Sequence, residues 1–186
     1  GETAHGSISA YSNRFDKFIF QRTIDEVIDG LPVRVWSQSD ARFNGYEAQA
    51  TLTLHRSDDF GQINGTLQFD AVNARLEDGG NLPRIAPQRY AANLNWDHGA
   101  WHANLSVMRY AKQDDVAEFE TPTRGYTRID FDASRNFANA DESLLTEVYF
   151  RVRNATDQLA SAHTSFLKDF APLPGRNIGF GVRLYW

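Results

Sequence analysis

One pattern constrains this chain more than any other: apolar and polar residues alternate with a period of two in segment after segment, up to the final residue. In YEAQATLTLHR, Tyr46, Ala48, Ala50, Leu52 and Leu54 share one face, while Glu47, Gln49, Thr51, Thr53 and His55 share the other. The split recurs with Ile63, Leu67 and Phe69, with Leu94 and Trp96, with Leu105 and Val107, with Ile129 and Phe131, and with Val148, Phe150 and Val152. It closes the chain as Ile178, Phe180, Val182, Leu184 and Trp186. Successive side chains of a strand point to opposite faces, so this period means β structure with one apolar face. Only TIDEVIDGL could pass for a helical turn. The pattern predicts an all-β chain of about eight strands, near 4–20, 32–56, 60–77, 85–97, 100–113, 124–137, 145–155 and 175–186.

Composition narrows what such a sheet can be. The 186 residues suffice for one domain, and there is no cysteine for a disulfide or a thiolate metal site. The 19 basic and 24 acidic residues give a net charge of −5 without a basic run, which points away from nucleic acid as a partner. No stretch approaches the roughly 18 apolar residues of a membrane-spanning helix, and GETAHGSISA lacks the character of a signal peptide. A membrane β-barrel is compatible with the mean hydropathy of −0.51, because only alternate residues of each strand face lipid.

Strand and loop lengths favour that barrel. Segments 32–56 and 60–77 exceed the roughly 5–6 residues of a soluble strand and the roughly 9–11 that cross a bilayer. SDD and DHG are tight joins, whereas 21–31, 78–84, 114–123 and 156–174 are longer, as in an antiparallel up-and-down transmembrane barrel with short turns at one end. The join ANADESL at 138–144 is longer than its class. Phe60, Trp96, Trp101, Phe137 and Trp186 fall at the short-turn end, where aromatic rings would form a girdle at the membrane interface. The terminal apolar stripe would then be covered by the lipid bilayer.

Three stretches carry a family resemblance: AYSNRFDKFIF, GLPVRVWSQSDARFNGYEAQATLTL and RVRNATDQLASAHTSFLKDFAPLPGRNIGFGVRLYW. With the RNATD step, the LPGRN approach to the last strand and the terminal aromatic, the whole chain resembles the C-terminal part of TonB-dependent outer-membrane receptors. DARFNGYEAQ and SFLKDFAPLPGRN look most like the zinc-uptake receptors among them. The resemblance implies a 22-stranded barrel, an interior plug and energy from the TonB complex. It implies location in the outer membrane of a Gram-negative bacterium. This chain has only about eight strands, no TonB box and no plug, so residues 1–186 are expected to be the C-terminal part of such a barrel. Any TonB contact would go through the N-terminal region it lacks. In such proteins the last strand is read by the barrel assembly machinery, and Gly181, Leu184 and Trp186 match that signal, while Gly179 stands where a polar residue is expected.

The residues offer little to catalysis. His5, His55, His98, His102 and His163 are scattered, without a zinc-hydrolase spacing, a phosphate loop or a nucleophile elbow, so no enzyme and no resident cofactor are expected. His163 lies in a long outer loop with Asp157 and Asp169, a donor set that suits a transported metal such as zinc or an iron chelate. Asp114, Asp115 and Glu118 cluster in another outer loop, where they could concentrate a cation or simply be solvated. Arg128, Asp130, Asp132, Arg151, Arg153 and Arg183 alternate in charge on the polar face and are expected to pair across neighbouring strands. The sequence therefore reads as a receptor segment for uptake of a scarce nutrient such as a metal ion, chelate or siderophore. A complete small eight-stranded outer-membrane protein, structural or adhesive, and a soluble lipocalin-like barrel remain the alternatives; the last requires the apolar face to point inward.

Overall fold

A computed structural model describes residues 3–140 and 143–186; Asp141 and Glu142, in the ANADESL join, lie outside the described residues. Eight strands follow in chain order: β1 Ala4–Ile28, β2 Leu31–Ser57, β3 Gly61–Leu76, β4 Arg89–His98, β5 Trp101–Tyr110, β6 Tyr126–Ala138, β7 Leu145–Arg153 and β8 Asn177–Tyr185. Each pairs antiparallel with its neighbours in sequence, forming one up-and-down sheet. Among the described residues β1 and β8 do not pair, so the sheet is curved but open.

Segment boundaries agree with the hydropathy pattern to within two residues except at one hairpin, at the start of β4 and at the end of β5, which stops at Tyr110. The 21–31 loop, with its helical-looking TIDEVIDGL, is strand: β1 runs on to Ile28 and turns through Asp29 and Gly30 into β2. Both turn residues have positive φ, 52° and 79°, as the tight hairpin favoured by Asp-Gly requires. Alternation is lost there because β1 shifts register between Phe15 and Phe18 and again between Thr23 and Val27, so its two faces exchange residues. At the opposite extreme, β4 starts at Arg89 rather than near 85, because Pro83 and Pro87 lack the N–H a ladder needs.

The apolar face points outward. Ile8, Phe150, Phe180, Val182 and Leu184 are all exposed, and Phe180 keeps 87% of its surface open. Arg151, Arg183, Asp132 and Glu147 line the concave side instead. This is the reverse of a lipocalin-like barrel, whose apolar residues meet at the centre. The buried apolar cluster is small: Phe20, Ala41, Ala74 and Leu82, backed by Phe18, Phe43, Leu76 and Ile85 near the long-loop end.

The register adds something the stripe alone does not contain. Followed strand by strand, the outer limit of the outward apolar band is Tyr46, Ala71, Tyr90, Val107, Ile129, Val152 and Ile178 on β2 to β8. Tyr46 faces Ala71, but Tyr90 faces Phe69, Val107 faces Ala92 and Val152 faces Phe131, each a two-residue step down the neighbouring strand. Three such steps make six residues, about 20 Å along the strands, over six inter-strand spacings of about 29 Å in total. The band therefore crosses the hydrogen-bonded rows at about 35°, at the edge of the roughly 35–45° tilt of membrane barrel strands.

Candidate functional site

The concave face encloses a polar cavity of about 610 Å³ to which β1, β2, β3, β5 and β7 contribute His5, Thr51, Asn64, Asn104 and Glu147. Its charges pair across strands. Arg151 Nε donates to Asp132 at 2.9 Å and Arg153 Nη1 to the same carboxylate at 2.6 Å, while Arg183 Nη1 reaches Glu147 at 2.8 Å. Arg128 departs from the expected cross-strand pairing and stands 3.0 Å from Asp130 on its own strand, because residues two apart share a face. His102 Nδ1 lies 2.7 Å from Asp97, at the short-turn end. These pairs are partly solvated and each contributes at most about 1 kcal/mol. Their effect is a hydrated, charged concave face.

Tyr149 lies across Gly181, its partner in the register, and a Cβ on Gly181 would stand 2.5 Å from the Tyr149 hydroxyl. Arg183 covers the same ring at 4.5 Å. Gly181 thus has a packing reason on the interior face, while Leu184 and Trp186 are exposed on the outward side, Trp186 by 95%. At the same end, Trp96 packs on Phe60 at 5.8 Å and donates its indole N–H to the Phe60 carbonyl at 2.8 Å. Arg135 lies between Trp101 and Phe137, at 4.9 and 4.7 Å from the two rings.

The long loops 77–88, 111–125 and 154–176 interlock at the other end. Glu120 is the hub: Oε1 accepts from the Arg84 N–H at 2.9 Å, Oε2 from the Ala117 N–H at 3.1 Å, and His163 Nε2 stands 3.4 Å away. His163 is buried, and its Nδ1 is 3.0 Å from Thr123 Oγ1. Burial holds the imidazole pKa below its ordinary value, partly offset by the Glu120 carboxylate. The Lys168 ammonium, also buried, donates to the Thr121 carbonyl and, at 2.6 Å, to Thr121 Oγ1, which donates in turn to Asp169 at 2.6 Å. Phe166 is held between Arg84, at 4.1 Å, and Arg34, at 5.2 Å.

The sequence candidates are therefore not brought together. His163 and Asp169 each face the 111–125 loop rather than one another, and Asp157 accepts from the Arg176 N–H at 2.7 Å. Asp114 pairs with Lys112 at 2.5 Å, which depresses its pKa, and Asp115 and Glu118 are exposed. Among the described residues, no group of three or more His, Asp or Glu converges as a metal site. Glu120, two positions from Glu118, has no distinguishing sequence signal; only the fold makes it central.

RNATD and LPGRN turn out to be the two ends of one clasp. Asn154, at φ 50°, donates from Nδ2 to the carbonyls of Gln158 at 3.0 Å and Pro174 at 3.3 Å, and its Oδ1 accepts from the Gln158 N–H at 3.0 Å. Arg176 Nη1 reaches the Ala155 carbonyl at 3.4 Å, and a Cβ on Gly175 would meet Asp157 Oδ1 at 2.8 Å. The sequence over residues 1–155 matches the family described as TonB dependent receptor-like, beta-barrel. The chain belongs to this TonB-dependent receptor family. Two solved structures share the fold: "Copper transporter OprC", at TM-score 0.81 and 18% identity over 99% of this chain and 30% of that one; and "The FrpB iron transporter from Neisseria meningitidis (F3-3 variant)", at TM-score 0.67 and 15% identity over 100% of this chain and 29% of that one. This TonB-dependent receptor chain thus spans less than a third of the length of either transporter, and at these identities the likeness is one of fold.

Proposed function

We propose that this chain forms the C-terminal part of the barrel wall of a TonB-dependent receptor that takes up a metal ion or metal chelate across the outer membrane of a Gram-negative bacterium. One observation carries the reading: an outward apolar band inclined at about 35° surrounds an inward face of paired charges, the arrangement of a lipid-embedded wall around a hydrophilic route. The open edges at β1 and β8 and the fraction of the related transporters that the chain covers support a wider barrel over a closed eight-stranded one.

Within that barrel, Phe60, Trp96, Trp101, Phe137 and Trp186 would sit at the periplasmic interface, and Gly181, Leu184 and Trp186 would serve recognition by the barrel assembly machinery. The TonB complex would engage a region outside this chain. The copper and iron named for the two structural relatives make a metal the favoured cargo. Asp114, Asp115 and Glu118 are the exposed acidic groups that could concentrate a cation at the outer surface, whereas His163 and Asp169 would have to leave their loop partners to bind one.

The test is uptake of radioactive copper, zinc and iron by cells with and without the full protein carrying this chain, each with and without a protonophore. Accumulation of one metal should require both the protein and the proton gradient. Equal accumulation of all three metals in every condition would overturn metal transport.

A further inference from the structure

The β1–β2 hairpin outruns the rest of the sheet. β3 stops at Leu76, the rung opposite Ala41, so residues 31–40 of β2 have β1 on one side and no strand on the other. Two hydrogen bonds show which backbone groups face the open side. The Thr53 N–H is turned to the β1 side, donating to the Thr3 carbonyl at 2.9 Å, and the Asp40 carbonyl is turned to the β3 side, accepting from the Glu77 N–H at 2.9 Å. Odd residues of this stretch therefore bond to β1 and even residues face away from it. Both register shifts of the hairpin place their extra residues in β1, so the alternation along β2 runs unbroken to the tip. The N–H and C=O groups of Arg34, Trp36 and Gln38, with the Pro32 carbonyl, point to the open side, and among the described residues no hydrogen bond reaches them.

Open edges are normally blunted by charges, proline or bulges. Here the bulges lie on β1, and Pro32 sits at the end beside the turn. Arg34, the one charged residue of 32–39, is engaged by the Phe166 carbonyl at 3.1 Å. Val33, Val35 and Trp36 are strong strand formers. Trp36 keeps 71% of its surface open, and Ile19, its diagonal neighbour on the same face, keeps 62%. Tyr46 marks the outer limit of the apolar band on β2, and Trp36 lies about 33 Å further along the strand, beyond the reach of lipid. The hairpin is tied instead to the loops at the mouth, where Arg84 Nη2 donates to the Gln21 carbonyl at 3.0 Å.

We propose that the open edge of β2 at 32–38 docks an extended segment of a partner polypeptide on the outer side of the membrane, as an added antiparallel strand. The segment would run beside β2 in line with β3, beginning above Leu76 and spanning about 23 Å. Its N–H groups would meet the carbonyls of Pro32, Arg34, Trp36 and Gln38, and its carbonyls the three N–H groups. Side chains on one of its faces would pack on Trp36, as cross-strand neighbours do. Donors and acceptors alternating at a two-residue repeat match a polypeptide backbone and neither a saccharide nor a lipid. A second copy of this chain, upright in the same membrane, presents its β2 running the same way and cannot pair antiparallel. The outer-side placement rests on the membrane-facing reading given above, whereas edge pairing itself is independent of metal transport.

The probe is a fluorescent eight-residue peptide of alternating threonine and valine, N-methylated at every second amide so that it keeps one hydrogen-bonding edge and does not pair with itself. Its control carries the same side chains and is N-methylated at every amide. Binding to the full protein carrying this chain, reconstituted in nanodiscs, is followed by fluorescence anisotropy. The singly edged peptide should bind at least about tenfold more tightly than the control, the worth of a few net backbone hydrogen bonds. Trp36→Pro removes the central N–H of the open edge and leaves the β1 side of the strand intact, so it should abolish that difference. Trp36→Thr keeps the N–H and should retain the difference while weakening both peptides. Equal binding of the two peptides, no binding of either, or a difference that survives Trp36→Pro would overturn the proposal. Binding of the peptide that appears only as the protein is diluted into monomers would assign the edge to a second copy and overturn the partner polypeptide. Failure of any of these arms leaves the metal-uptake test above untouched.

Discussion

The strand wall and the outer loops of this protein are built on opposite principles. In the wall, β2 to β8 repeat one rule, apolar out and polar in, and most side chains share their job with neighbours on the same face. In the loops, single residues hold several segments at once: Glu120 meets three loops and Asn154 makes three bonds around one clasp. A wall of this kind tolerates changes that keep polarity and fails on changes that reverse it. A loop hub fails on conservative changes and is indifferent to polarity elsewhere.

The largest effect should come from the wall. Leu94→Arg places a charge in the outward band and should destabilise the folded protein by about 2–4 kcal/mol, while Asn93→Arg, one residue away on the inward face, should cost under about 1 kcal/mol. Chemical unfolding in lipid vesicles compares them; equal effects would erase the distinction between the faces. Next, Asn154→Ala removes three hydrogen bonds and places alanine at a positive φ, which together should loosen the clasp by about 2–3 kcal/mol. Limited proteolysis should then cut within 158–173, and resistance equal to the parent would show that the motif does not hold the loop.

A smaller effect should come from Gly181→Val, where the new side chain must displace Tyr149 at a cost of about 1–2 kcal/mol. Tyr149→Ala should restore folded yield if Gly181 matters for packing; failure to restore it would favour reading of the strand by the assembly machinery. The smallest is an effect of pH. The His163 pKa is depressed in the folded protein, so the neutral ring is the form that the loop cluster favours. Its contribution is complete above the ordinary histidine pKa of about 6.5 and is lost as pH falls through the lower folded value. Hydrogen-exchange protection in 154–176, taken relative to the intrinsic rate at each pH, should therefore fall on acidification, and more so than in His163→Asn; identical pH responses would remove His163 as the cause.

Most of the wall was legible in the sequence because its periodicity is local. β5, β6 and β7 could be placed from Leu105, Phe131 and Phe150 and their polar neighbours alone. The upper β1–β2 hairpin was not, because two register shifts scramble its alternation, although Asp29-Gly30 is a turn signal in its own right. The loop candidates show the limit most plainly. His163, Asp169 and Asp157 share a loop in sequence, but their neighbours in space come from residues 121, 123 and 176.

What the sequence determined by itself is which residues share a face, since the two-residue period is fixed by the backbone of each strand whatever it pairs with. The tertiary structure decided that this face is the outward one. It also decided the slant of the apolar band and the closure of RNATD onto LPGRN. Each of these depends on how one strand or loop is set against another, and that offset is established only when the pairing forms.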